Sequence, residues 1–299
     1  MSILFGMHKH IFQIKEKIIE LIFSFCGLFS LLITVGIIGI IFWETTLFFK
    51  EVSLFEFMLS TQWTPLFSIK HFGVLPLITG TLLVAGIAMI IAMPTGVLMA
   101  IFMNEYANAK IRRVVKPVLE ILAGIPTIVY GYFALLSVTP FLQKVIPSLS
   151  GFNAISPGIV MGIMILPMVV SLSDDAFGAV PKEMKLAAYA LGSSRFQVAF
   201  KIILPAAMSG VIAAFILAIS RAIGETMLVA IAAGMKPAFT LNPLVPIQTI
   251  TSYIVQISLG DTPVGTLAYR SIFAVASVLF IITFIFNVIA QKLRHSLKY

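Results

Sequence analysis

Two long apolar runs are separated by the stretch PKEMKLAAYALGSSRFQVAFKIILP, residues 181–205. Pro181 is suited to open a helix, because the N–H that proline lacks has no helical partner at that position. Four small or apolar residues follow at the helical spacing i, i+3, i+4 and i+7: Met184, Ala187, Ala188 and Leu191. This spacing predicts a short helix with one apolar face. Gly192 is expected to end it in the left-handed conformation, and a second short helix should run to Leu204-Pro205. A helix–glycine–helix elbow of this kind suits insertion into a groove on a soluble partner.

The composition places this elbow beside a membrane. Of the 299 residues, 60% are hydrophobic and 11% are charged, and the mean hydropathy is +1.07. An ordinary soluble domain has about 25% charged residues. A water-soluble enzyme and a disordered chain are therefore excluded, and the single cysteine, Cys26, excludes a disulfide scaffold. The net charge of +8 could indicate nucleic-acid binding, but its distribution along the chain indicates membrane lipid and no nucleic acid.

The apolar runs predict an all-α membrane protein with six transmembrane helices. A membrane-crossing helix needs about 20 apolar residues, and six runs qualify: roughly 19–43, 74–103, 115–142, 157–173, 206–234 and 267–290. No small-residue cleavage site follows the first run, so we expect it to be retained as a helix. The prediction divides the chain into a cytoplasmic N-terminus (1–18), a first transmembrane helix (19–43), an extracytoplasmic segment (44–73), a transmembrane domain (74–290, with a cytoplasmic loop at 174–205) and a cytoplasmic tail (291–299).

The basic residues predict the orientation of these helices. Fourteen of the 20 lysines and arginines fall in the four segments that share one side of the membrane, and four fall in the opposite loops. Cytoplasmic loops are the ones enriched in Lys and Arg. Both termini are therefore expected in the cytoplasm of a multi-pass protein of the bacterial inner membrane.

The 181–205 stretch resembles the EAA loop of permease subunits from bacterial ABC importers. In that family the loop docks on the ATP-hydrolysing subunit and couples its motion to transport. Leu186 stands where the family usually has Glu, and Glu183 lies three residues earlier. The resemblance implies that the residues at the motif positions couple this chain to an ATPase: Leu186, Ala187, Ala188, Gly192, Ile202, Leu204 and Pro205.

Two further stretches resemble the permeases of phosphate-specific importers: KPVLEILAGIPTIVYG (116–131) and RAIGETM (221–227). The first of them, and Met227, favour the PstC type over its paralogue, the PstA type. From about residue 74 onward this resemblance implies a six-helix fold of the MetI-like family and inorganic phosphate as the substrate. It also implies a PstA-type permease partner, two ATPase subunits of the PstB type and an extracytoplasmic phosphate-binding protein of the PstS type.

No G-x-x-x-x-G-K-[ST] loop occurs in the sequence, so the chain is not expected to hydrolyse ATP or to bind a cofactor. ATP and magnesium would be used by the separate ATPase. We expect a transport subunit and not an enzyme.

Arg221 and Glu225 are the candidate pathway residues within the apolar runs. Arg221 lies 16 residues beyond Pro205, or roughly 24 Å along a helix, and Glu225 follows at i+4. A charge near the bilayer centre costs about 3 kcal/mol, so the two side chains are expected to pair and to face the bundle interior. One interpretation is that Arg221 contacts phosphate while Glu225 weakens its grip. The other is a structural ion pair that fixes the helix register.

Two alternatives stay open at this point, and a third is disfavoured. A related importer could carry another oxyanion, such as sulfate or molybdate. An ion-coupled secondary transporter also uses intramembrane charge and broken helices, although it would not need the 181–205 loop. A membrane-embedded enzyme would need a catalytic group of residues, and the aspartate pair Asp174-Asp175 is the only pair of that kind.

Overall fold

The computed structural model describes residues 2–296, with the side chains of residues 16–289, 291 and 292. Within this range the chain is helical, apart from its loops and one isolated bridge between Trp63 and Phe72. In chain order the helices are α1 (Ser2–Phe48), α2 (Leu54–Leu59), α3 (Leu75–Ile101), α4 (Ala109–Gly124), α5 (Thr127–Phe133), α6 (Thr139–Val145), α7 (Ile155–Gly178), α8 (Lys182–Ala190), α9 (Arg195–Gln197), α10 (Leu204–Ala206), α11 (Met208–Ile223), α12 (Met227–Ala232), α13 (Ile250–Leu259) and α14 (Leu267–Ser296). Three π-helical turns extend or join them: Phe102–Tyr106, Ala134–Val138 and Val198–Ile203.

Among the described residues, five segments are long and apolar enough to cross a membrane: Glu16–Phe48, Leu75–Tyr106, Thr127–Val145, Ile155–Gly178 and Leu267–Ile289. A sixth is formed when Arg195–Ala206 and Met208–Ile223, which meet at a bend of 71°, are taken as one broken span. The all-α membrane fold is thus confirmed, and the six predicted spans are reached when this bent pair is included. The orientation of the termini stays a prediction. Residues 1 and 297–299 of the predicted terminal segments lie outside the described residues.

Two predicted spans have the wrong limits. The third was predicted over 115–142, but its first part belongs to α4, which ends at Gly124 before Pro126. α4 is amphipathic and charged, and the apolar residues on one of its faces resemble part of a membrane span in the sequence. The fifth was predicted over 206–234 as one helix, but α11 ends at Ile223 and α12 is a separate short helix. The polar sequence Gly224-Glu-Thr interrupts the helix at that point.

The centre of the bundle is the pair α3 and α7, which pack closely because glycines of one helix lie against the backbone or branched side chains of the other. A β-carbon at Gly162 of α7 would lie 3.0 Å from the carbonyl oxygen of Ala88 in α3. One at Gly158 would lie 2.7 Å from the Cγ2 atom of Ile87. Small residues allow helix backbones in a membrane to approach in this way. The α3–α7 pair is therefore a fixed frame, on which the other helices are placed.

We expect Gly80→Ala in α3 to destabilise the protein by about 1–3 kcal/mol, as overpacking of a core does. The added β-carbon would overlap the backbone carbonyl of Gln248, which has no side-chain freedom with which to move away. Gly86→Ala is the matched control, since it lies in the same helix, is exposed and has nothing within 4 Å of a β-carbon. Thermal unfolding in detergent should show a lower midpoint for Gly80→Ala only. Equal midpoints for the two variants would contradict the packing.

α1 is attached to the bundle at one end. Most of its side chains from residue 16 to residue 40 are exposed, as expected of a helix surrounded by lipid. At its C-terminal end, Phe48 is fully buried in an aromatic cluster with Phe57 and Phe72. Arg270 of α14 donates a hydrogen bond to Glu51 at 2.8 Å, just beyond α1. The segment after α1 therefore folds back on α14 and closes this end of the bundle, which we call the α13 end.

Candidate functional site

A cavity of about 520 Å³ opens at the other end of the bundle, which we call the α8 end. One wall is α7 from Met164 to Asp175, a length of roughly 16 Å at 1.5 Å per residue. The cavity therefore reaches from the α8 end well into the membrane-crossing part of the bundle. Its other lining residues come from the π-turn after α3, from α4 and from α11: Met103, Lys116, Leu119, Glu120, Ala123 and Arg221.

The cavity lining is charged, which is unusual for the interior of a membrane protein. Lys116, Glu120, Asp175 and Arg221 all line it. Among the described residues, none of these four lies within 4.0 Å of an oppositely charged group. Their charges are thus available to a solute or to a neighbouring subunit. Fixed positive and negative charges along one passage can contact an ion repeatedly without holding it tightly.

Arg221 is placed in this cavity by the last turn of α11. It lies 13 residues after Met208 and so roughly 20 Å along the helix. Its side chain is exposed to the cavity and belongs to no ion pair of the described residues. The guanidinium is a planar group with five N–H donors that stays charged at any working pH, and it suits oxyanions.

Glu225 does not pair with Arg221, contrary to the prediction. The i+4 relationship requires a continuous helix, and α11 ends at Ile223. Glu225 is 8% exposed, and its Oε1 accepts a long hydrogen bond of 3.4 Å from the Leu228 N–H at the start of α12. Its backbone carbonyl accepts a bond of 2.7 Å from the Thr251 hydroxyl of α13. Glu225 therefore fastens the break between α11 and α12 to α13 and is not among the cavity-lining residues.

The loop at 181–205 has the predicted elbow. α8 ends at Ala190, and Gly192 has φ +80°, which confirms the left-handed position. The next helix begins with a capping box, in which Ser194 accepts a bond from the Gln197 N–H while the Gln197 side chain accepts one from the Ser194 N–H. Both caps are local in sequence, so the elbow is defined by its own residues.

The predicted coupling residues divide into an exposed group and a packed group. Leu186 is 67% exposed, and Ala187, Gly192 and Pro205 are exposed as well. Ala188, by contrast, is buried, and Ile202 and Leu204 are half-buried against the core beneath the loop. The predicted apolar face of α8 is thus split, with Ala188 turned inward and Met184, Ala187 and Leu191 exposed.

A polar network beside the cavity was missed at the sequence level. Lys185 of α8 contacts Glu105 in the π-turn after α3, with 2.6 Å between Nζ and Oε1. Arg112 of α4 contacts Asp174 at the end of α7, with 2.9 Å between Nη2 and Oδ2. The available signal was that Glu105 and Asp174 are acids placed directly at the ends of two apolar runs.

The family model described as "Binding-protein-dependent transport system inner membrane component" matches residues 92–295, which include the cavity lining, α8 and α11. The chain belongs to this family. It is therefore a multi-pass subunit of a transport system in the inner membrane.

Curated relatives extend the similarity to most of the chain. "Probable ABC transporter permease protein YqgH" of Bacillus subtilis is 34% identical, with 81% of this chain and 78% of that protein covered. "Phosphate transport system permease protein PstC" of Xylella fastidiosa (strain 9a5c) is 37% identical, with 79% and 77% covered. PstC of Mesorhizobium japonicum is 34% identical, with the same coverage.

Solved structures share the fold at low sequence identity. A MetNI methionine ABC transporter in an inward-facing conformation aligns with a TM-score of 0.57 and 17% identity, covering 76% of this chain and 95% of that one. A bacterial ABC transporter that imports alginate aligns with a TM-score of 0.58 and 14% identity, covering 89% and 90%. These likenesses establish the MetI-like permease fold.

Proposed function

We propose that this chain is the permease subunit of an ATP-driven importer, and that it moves inorganic phosphate across the inner membrane by alternating access. The observation that carries the proposal is the similarity to PstC phosphate permeases over about four-fifths of the chain, at 34–37% identity for the relatives above. The charged cavity supports it, because a phosphate passage needs a cation within the apolar part of the bundle.

Arg221 is the residue that contacts phosphate in this account. It offers a fork of N–H donors to the oxyanion, and these charge-assisted bonds are stronger than neutral ones. Glu120 and Asp175 line the same cavity and repel the anion. The opposing charges keep phosphate from staying at Arg221, which a passage for rapid transport requires. Glu120 and Asp175 thus take the role of weakening the grip of Arg221, which the sequence suggested for Glu225. Glu225 instead holds the break between α11 and α12 in position.

The ends of the bundle would meet different partners. The α8 end faces the cytoplasm, as the basic residues predict, and both termini lie there. The exposed residues of α8 and its elbow dock on the ATPase, which uses ATP and magnesium, while this chain binds no cofactor. The α13 end receives the phosphate-binding protein, and a paralogous permease completes the passage. Two ATPase subunits serve the two permeases.

ATP hydrolysis by the reconstituted complex tests this proposal. The chain would be purified with its co-encoded permease partner, ATPase and binding protein, placed in lipid, and supplied in turn with phosphate, sulfate and molybdate. We expect phosphate alone to stimulate hydrolysis. Stimulation by sulfate or molybdate instead would support an ATP-driven importer but refute phosphate as its substrate. Failure of any ATPase to bind would refute the importer and favour the ion-coupled secondary transporter.

A further inference from the structure

Lys185 and Glu105 form the shortest polar contact between the elbow and the membrane-crossing helices. The Lys185 Nζ atom lies 2.6 Å from Glu105 Oε1 and 2.7 Å from Asn104 Oδ1. The Glu105 side chain is 8% exposed and that of Lys185 is 19% exposed, so water competes little for either charge. The pair is therefore less screened than a surface ion pair, which water and salt weaken.

A second residue of α8 reaches the same carboxylate. The Tyr189 hydroxyl donates a hydrogen bond of 3.2 Å to Glu105 Oε2. Lys185 and Tyr189 are four residues apart and so lie on one face of α8. Burial and then the charge of Glu105 raise the pKa of Tyr189, which keeps the phenol protonated as a donor. Glu105 is thus held by α8 at both of its oxygens.

The contact continues from α8 to the wall of the cavity. Asn104, which accepts a bond from Lys185, lies with its Nδ2 3.4 Å from Asp174 Oδ1. Arg112 donates to both oxygens of Asp174, at 3.1 and 2.9 Å. Asp174 itself lines the cavity, and so does Met103, the residue next to Asn104. A displacement of α8 would therefore act on Asp174 through polar contacts and on Met103 through the backbone of the π-turn.

α8 has two further links to the bundle. It is joined to α7 through residues 179–181. Its one buried residue, Ala188, packs against the core beneath the loop. The π-helical turn that carries Asn104 and Glu105 is a less regular piece of helix, and such turns are frequent at functional sites.

We propose that Lys185 and Glu105 are positioning residues that transmit the displacement of the elbow to the cavity wall at Met103 and Asp174. This inference rests on the proposed function, because it assumes that an ATPase moves α8. The pair contacts neither phosphate nor ATP. Loss of this ion pair would uncouple ATP hydrolysis from transport, while the cavity and the exposed docking residues stay in place.

Exchanging the charges of residues 105 and 185 in the reconstituted complex tests the role proposed for them. The variants are Glu105→Lys, Lys185→Glu and the double exchange, with Lys110→Glu as the control, because Lys110 is an exposed residue of α4 that has no ion pair among the described residues and does not line the cavity. The readouts are ATPase co-purification, basal ATP hydrolysis, and the amount of anion transported per ATP, measured with whichever anion stimulates the wild type.

Each single exchange should retain the ATPase and its basal hydrolysis but lower the anion transported per ATP by about tenfold, the usual scale for loss of one charged hydrogen bond. The double exchange should restore most of the wild-type amount of anion transported per ATP. Glu105→Gln with Lys185→Met serves as a neutral pair if the reversed charges prevent folding, and it should show the same loss.

Two results would contradict the role proposed for Lys185 and Glu105. One is an unchanged ratio in the single variants, and the other is loss of the ATPase from all of them, including the double exchange. A wild-type complex that responds to no anion would instead refute the proposed function, so the two failures are distinguishable.

Discussion

Replacement of Arg221 by glutamine is expected to lower phosphate uptake by about tenfold to a hundredfold, because a hydrogen bond to a charged group contributes about 1.5–3 kcal/mol. The variant should assemble normally, since Arg221 lines a cavity and belongs to no ion pair of the described residues. Glutamine keeps a polar side chain, although a shorter one, and removes the charge and the fork. Uptake of labelled phosphate by proteoliposomes measures the effect.

Two variants make this result specific. Arg221→Lys keeps the charge without the planar fork and should fall between the wild type and Arg221→Gln. Arg113→Gln is the matched control, because Arg113 is an exposed arginine of α4 that does not line the cavity. If Arg221→Gln transports phosphate as fast as the control, then Arg221 has no role in the passage and the charged cavity needs another explanation.

The second large effect is expected at Leu191, at the tip of the elbow. Its side chain is 88% exposed, more than any large hydrophobic residue of the preceding helix α8. Burial of a leucine contributes about 1.5–3 kcal/mol, and an unpaired carboxylate in the same place adds a further cost. Leu191→Asp should therefore weaken ATPase binding by at least about a hundredfold, so that the subunit no longer co-purifies with the permease.

Leu241→Asp is the control for this substitution. Leu241 is 77% exposed but lies in the loop between α12 and α13, far along the chain from the elbow. This variant should retain the ATPase. Retention of the ATPase by Leu191→Asp as well would place the docking surface elsewhere on the α8 end.

Local patterns in the sequence were sufficient to predict the elbow. Pro181, Gly192 and the capping pair Ser194 and Gln197 each act on the backbone within about one helical turn of themselves, so their effect is readable without the fold. The long apolar runs were sufficient for the spans for the same reason. A membrane-crossing helix satisfies its own backbone hydrogen bonds within one continuous segment.

The errors arose where a local pattern was extended over a break. Periodicity predicted that Glu225 faces the same side as Arg221, but periodicity holds only while the helix continues, and Gly224 follows the end of α11. In the third predicted span, the apolar residues of α4 were joined to those of α5 across Ile125-Pro126. Neither break changes the average hydropathy enough to be visible in it.

The contact between Lys185 and Glu105 could not be read from the sequence. The two residues are 80 positions apart, and they meet only because α3 and α7 pack side by side and bring the π-turn under the elbow. That packing depends on small residues such as Gly158 and Gly162, whose partners in α3 are not indicated by any local pattern. Charged residues at the ends of apolar runs mark candidates for such contacts but do not pair them.

The most direct test of the account is the accumulation of labelled phosphate by proteoliposomes that contain the complete complex. ATP would be supplied on the side of the ATPase, and the binding protein and phosphate on the other. We predict accumulation that requires ATP, proceeds without an ion gradient and is not reduced by excess sulfate or molybdate. Accumulation that needs an ion gradient and no ATP, or that occurs with sulfate and not with phosphate, would contradict the central claim.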